Sequence, residues 1–211
     1  MAVHYRTKGI FLKKTDRGEA DQFLTVYTEE FGKMSILGKA IRKAASKLRG
    51  GAELFYLSEI EFIQGKNHKT LTDAILIDKF RGIREDLDKL RIAHQIAAVL
   101  DKLAVKEEKD EEIWQLLNEV LGKVNDLRFK IYDLRLMYYY FFWSLISLLG
   151  YRPQISGCSL QGEKVSCDII KILKVIFKKD WQILSRLKLE AEHISLLKNT
   201  SEWYIIKIHE K

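Results

Sequence analysis

Between Phe31 and Ala52 the chain carries no acidic residue, while Lys33, Lys39, Arg42, Lys43, Lys47 and Arg49 are all cationic. Unopposed ammonium and guanidinium groups at this density are suited to one task, the neutralisation of phosphates. Each contact releases condensed counterions and adds affinity without reading base sequence. About four to six such contacts give micromolar-class binding that weakens steeply with salt. The bland alternative is a solvated helix face. A formal net charge of +7 over 211 residues points the same way. It favours a polyanionic partner, nucleic acid first and an anionic membrane surface second.

Other chemistry finds little support. Neither the G-x-x-x-x-G-K-S/T nor the G-x-G-x-x-G phosphate loop occurs, and there is no G-x-S-x-G elbow. His4, His68, His94, His193 and His209 are scattered, with no pair at a helical metal spacing. Asp16, Glu19 and Asp21 could hold a metal, or they could be a solvated turn with carboxylate capping. Cys158 heads half of a C-x-x-C pair whose other position is Gln161, and Cys167 stands without a near partner. Two thiolates do not complete a four-ligand zinc site. The N-terminus has no apolar signal core, so both cysteines read as cytosolic thiols rather than a disulfide. The expectation is a binding protein and not an enzyme, with no metal and no cofactor.

The elements that carry these residues follow from periodicity. Gly9–Lys13, Gln22–Thr28, Met34–Leu37, Glu53–Gln64 and Leu71–Ile77 read as five short strands with turn punctuation. Five such strands in about seventy residues fit a small closed barrel of the OB type. Lys39–Arg49, with Ala40, Ala44 and Ala45, has a helix-like composition. Several barrel aromatics (Tyr5, Phe11, Phe23, Tyr27, Phe55, Tyr56 and Phe62) could stack unpaired bases, although a barrel this small needs most of them as core.

Beyond residue 82 the apolar period becomes helical. Helices are expected around Leu87–Leu103, Asp110–Val124, Leu127–Leu149, Ile169–Phe177, Trp181–Leu187 and Ala191–Leu197, with Gln154–Ser166 a loop and Trp203–Ile208 ambiguous. Leu136–Tyr151 is uncharged but too short and too tyrosine-rich for a membrane span, and reads as a buried helix. Its block Tyr138–Trp143 is aromatic on every side. A groove there beside Arg128, Lys130 or Arg135 suits an acidic, apolar-ended tail. The fold class is α+β in two domains. Residues 1–80 form a five-stranded OB-fold barrel, and residues 81–211 an all-α helical domain with a degenerate zinc-knuckle loop near 154–167.

The ordered N-terminal pattern resembles that of the RecO family of bacterial recombination mediators. It comprises Gly9–Leu12, Gly18-Glu19-Ala20-Asp21-Gln22-Phe23, Tyr27-Thr28, Gly32-Lys33, Lys39-Ala40-Ile41-Arg42-Lys43, Ser46-Lys47-Leu48 and Gly50. Leu71-Thr72-Asp73-Ala74 and the segment Phe141 through Cys158 extend the likeness. The resemblance implies an OB barrel followed by a helical domain, binding of single- and double-stranded DNA, and strand pairing without ATP. It also implies work with RecR, with the acidic C-terminal tail of the single-stranded DNA-binding protein and, indirectly, with RecA, in a cytoplasmic, nucleoid-associated setting.

Carried over by position, the DNA contacts are Lys39, Arg42, Lys43, Lys47 and Arg49; the candidate tail-peptide residues, Arg128, Arg135 and Tyr139, come from the aromatic groove and not from the family pattern. Three departures stand out. The family's four-cysteine zinc site is reduced to Cys158 and Cys167. Ser144 occupies the position of a basic residue near the tail pocket. Ala40 replaces a glycine, which suggests a more helical basic segment. The competing readings are an OB-type RNA-binding module and a protein-interaction adaptor.

Overall fold

The computed structural model describes residues 3–126 and 131–209. Alternating apolar side chains put one face of each N-terminal strand inside. The strands are β1 (His4–Arg17), β2 (Asp21–Thr28), β3 (Gly32–Gly38), β4 (Leu57–Gln64) and β5 (Lys69–Asp78). They close a barrel in the order β1-β2-β3-β5-β4. β1 is long enough to serve two neighbours: His4–Ile10 pair with β4, and Gly9–Arg17 pair with β2. An irregularity between Phe11 and Lys13 bends it from one to the other. Closure is completed by a short parallel pairing of β3 with β5, Ile36 opposite Lys69 and Leu37 opposite Thr70. Phe11, Leu24, Val26, Met34, Ile36, Ile60, Phe62 and Leu71 fill the interior.

Among the described residues seven α-helices follow the barrel. The change of period near residue 80 coincides with the end of β5. Packing divides the chain into two compact units, Met1–Leu127 and Arg128–Lys211. The first contains the barrel with α1 (Arg81–Arg84), α2 (Leu87–Leu103) and α3 (Glu111–Asn125). Asp86 and Asp110 cap α2 and α3 by accepting backbone N–H groups of the first turn, as acidic residues at helix starts do. Lys33 ties the barrel to these helices. Its side chain is buried and donates to the Asp101 carbonyl, with the Asp101 carboxylate 3.6 Å away.

The second unit contains α4 (Ile131–Leu148), α5 (Cys167–Lys178), α6 (Trp181–Leu184) and α7 (Ala191–His209). Gly150, at φ 85°, ends α4 with the paired bonds of a Schellman turn, Tyr151 N–H to the Ile146 carbonyl and Gly150 N–H to that of Ser147. Of the aromatic block, Tyr139 through Trp143 are buried and Tyr138 is partly exposed. Trp143 sits among Phe142, Phe177 and Tyr204. No helix among the described residues is long and apolar enough to cross a membrane.

Two sequence expectations need correction in this unit. The 154–166 loop carries a three-stranded sheet of two-residue strands: β6 (Ile155–Ser156), β7 (Ser159–Leu160) and β8 (Glu163–Lys164). Cys158 and Cys167 are joined as a disulfide across this knuckle, with Cα atoms 4.7 Å apart, and are not free thiols. The turns of the knuckle bring together two positions nine apart in sequence, which spacing alone does not show. The two sulfurs are bonded to each other, and no group of three or more potential metal ligands occurs among the described residues.

Candidate nucleic-acid interface

The cationic segment is the connection from β3 to β4, and anchors from elsewhere in the barrel shape it. Ile41, only 2 % exposed, enters the barrel interior together with Ala52, while Leu48 packs against the same core. The Asp21 carboxylate accepts the Ala40 N–H at 2.7 Å, and the Ala20 carbonyl accepts the Arg42 N–H at 3.0 Å. The turn between β1 and β2 therefore fastens the start of the cationic loop. That assigns Asp21 of the acidic cluster a structural role. Asp16 accepts from Gln22 at 2.8 Å and lies 3.4 Å from Arg42.

The predicted helical character of Lys39–Arg49 is not what forms. The segment is a series of turns ending in a single 3-10 turn at Lys47–Gly50, and Ala40 adopts a left-handed φ of 52°. The left-handed Ala40 interrupts any helical run, and the bonds from its N–H to Asp21 and from the Arg42 N–H to Ala20 hold the chain in that turn. An alanine in this region carries a steric cost that glycine does not. Ala40→Gly is expected to raise the midpoint of urea unfolding, with a stabilisation of about 0.5–1 kcal/mol. A lowered midpoint contradicts the assigned turn.

All five predicted DNA-contacting residues, Lys39, Arg42, Lys43, Lys47 and Arg49, are exposed. Lys39, Lys43, Lys47 and Arg49 make no ion pair with a described residue. Arg42 meets Asp16, but both side chains are so exposed that the pair is worth little and yields readily to a phosphate. The fold also unites residues distant in the loop. Arg42 and Arg49 line one groove of about 340 Å³ with Lys14, Gln22, Ile41 and Glu53. Glu53 is matched by Lys14 at 2.9 Å. The two guanidiniums can therefore clamp an anion without a repelling unpaired carboxylate beside them. Lys33, part of the same sequence run, contributes nothing to this surface because it is buried against α2.

The predicted tail-peptide residues are only partly among the described residues. Arg128 lies outside the described residues. Arg135 is half-buried on α4. Tyr139 is 6 % exposed, and burial, with help from Tyr138 and Glu202, pushes its phenol up to about 12. Sequence reasoning passed over Arg17 on β1, whose guanidinium lies 4.9 Å from the centroid of the Phe23 ring. Its position four residues before Asp21, its partner across the β1–β2 turn, was the available signal.

A closed five-stranded barrel of OB type with an exposed cationic β3–β4 loop, followed by a helical unit, defines a class of binding protein rather than a single activity. Comparison with known proteins narrows it. A family model described as recombination protein O N terminal matches residues 1–80, and one described as recombination protein O C terminal matches residues 84–170. The DNA repair protein RecO of Trichodesmium erythraeum is 30% identical over 173 residues, covering 80% of this chain and 60% of that protein. Its counterpart in Roseiflexus sp. is 30% identical over 163 residues, 75% of this chain and 54% of its own length. That of Dehalococcoides mccartyi is 27% identical over 221 residues, 92% and 86%. The chain belongs to the recombination protein O family. It spans about 60% of the length of the first of these relatives and 54% of the second.

Proposed function

We propose that the chain is a DNA-binding recombination mediator in DNA repair. It holds single- and double-stranded DNA by their phosphates, anneals complementary strands without ATP, and helps a recombinase onto single strands coated by their binding protein. The observation that carries this reading is the loop of exposed cations held on the barrel by Ile41, Leu48 and the Asp21–Ala40 bond. Annealing requires two polyanions to approach. Cations that neutralise phosphate without engaging base edges lower that repulsion and leave the bases free to pair. No step needs a bound cofactor or bond-making chemistry. The acidic tail of the single-stranded DNA-binding protein, RecR and, indirectly, RecA are the proposed partners, in a cytoplasmic, nucleoid-associated setting.

Binding of a labelled oligonucleotide, with an RNA of equal length as competitor, tests the reading together with the annealing rate of complementary strands in the absence of nucleotide. DNA binding that falls steeply with salt, and accelerated annealing, are expected. Failure to bind DNA at physiological salt removes the reading, and a clear preference for RNA replaces it with an RNA-binding one.

A further inference from the structure

A second surface of the barrel lies beside the cationic loop and has different chemistry. Of the barrel aromatics, Phe11, Tyr27, Phe55 and Phe62 are buried. Tyr5 is packed between Phe31 and Phe62, and Tyr56 is covered by the Arg84 guanidinium. Phe23 differs. It is partly exposed on β2, on the opposite face from the core residues Leu24 and Val26. It also lines a groove of about 420 Å³ with Ser35, Gln64, Asn67, His68 and Lys106, among others. Two other elements converge on its ring. Arg17, at the end of β1, lies over its face at 4.9 Å, and His68, from the β4–β5 hairpin, meets it edge-on with ring centroids 5.2 Å apart. In register, Phe23 is opposite Leu37, so the groove abuts the strand end from which Lys39 continues.

We propose that Phe23 is a base-stacking residue for single-stranded nucleic acid, resting on the mediator reading and specifying how the protein engages unpaired bases. A phosphate backbone engaged by the cationic loop directs its neighbouring bases toward this groove. An unpaired base stacks on the Phe23 face now covered by Arg17, and the displaced guanidinium pairs with a phosphate. The amides of Gln64 and Asn67, the Ser35 hydroxyl and the His68 ring border the groove and can meet the polar edges of any base. Stacking is indifferent to base identity because every base has a π-face, which suits a protein that pairs strands of any sequence. A duplex, whose bases are already stacked, gains nothing from Phe23.

The test uses the full chain and two DNAs, a thymidine oligonucleotide with a central 2-aminopurine and a duplex of equal length. Phe23→Leu keeps an apolar side chain in the groove. It is expected to weaken single-strand binding about tenfold, to abolish the quenching of 2-aminopurine, and to leave duplex affinity and the salt dependence unchanged. Phe23→Tyr is expected to restore both single-strand readouts. On the unmodified chain, photocrosslinking of an oligonucleotide carrying 5-iodouracil is expected to label Phe23, which keeps the proposal testable if the leucine variant fails to fold. Unchanged single-strand affinity in Phe23→Leu, or a crosslink confined to other segments, overturns the stacking role while leaving the mediator reading standing. Absence of all DNA binding by the unmodified chain removes both.

Discussion

Replacing Lys39, Lys43, Lys47 and Arg49 together by glutamate is expected to lower affinity for single-stranded DNA by at least about a hundredfold at physiological salt. These four side chains are exposed and make no ion pair with a described residue, so their full charge is available to phosphate. Each phosphate neutralised contributes about 0.7 to the slope of log affinity against log salt for a single strand, so removing four lowers that slope by about three. Reversal also places four carboxylates beside the polyanion, which lowers affinity below simple loss of contact. The loss should be similar for oligonucleotides of any sequence, because phosphate contacts carry no base information. Anisotropy titrations at several salt concentrations read both quantities. An unchanged slope shows that the loop does not touch the backbone. Thermal unfolding should be little altered, because none of the four side chains is part of the core.

Gly51→Ala is expected to destabilise the barrel by about 3 kcal/mol or more, read as a lowered urea midpoint. Gly51 closes the cationic loop where it packs against β5. A Cβ built there collides with the carbonyl of Ala74, a backbone atom that cannot swing aside. Its own carbonyl accepts the hydroxyl of buried Ser58 at 2.6 Å, so relief by moving the loop also breaks a buried hydrogen bond. The adjacent Gly50 is the control: a Cβ there meets nothing within 4 Å, and Gly50→Ala should change stability by only a few tenths of a kcal/mol. Equal effects at the two glycines contradict the close approach of loop and strand. DNA affinity should fall in Gly51→Ala even under conditions where it remains folded, because Arg49 lies two residues from the displaced point.

The barrel was legible because strand alternation is a local signal, but its margins were not. β1 extends to His4 and Arg17, beyond the apolar run Gly9–Lys13, because flanking charged residues on its outer face hid the period. β4 begins at Leu57 and not Glu53, since Phe55 takes a φ of 60° and turns the chain before the ladder starts. The ambiguous Trp203–Ile208 is the end of α7, a single helix whose polar middle, Lys198–Ser201, disguised its continuity. The helix-like composition of Lys39–Arg49 misled because helix propensity is a weak preference that tertiary contacts override. Here Asp21 and Ala20 fasten the start of the loop and the core takes in Ile41.

Charge, strand period and helix period are properties of neighbouring residues. The amino-acid order alone therefore established a β-rich N-terminal segment, a helical remainder, and a cationic stretch between the third and fourth strands. Which cations act together was settled only by the fold. Lys33 is withdrawn from the surface by Asp101, 68 positions away, and Arg42 and Arg49 meet in one groove because Ile41 and Ala52 are drawn into a common core. The Cys158–Cys167 bond and the setting of Phe23 between Arg17 and His68 have the same origin. Side-chain direction depends on anchors contributed by remote segments, and no local pattern encodes where those segments will lie.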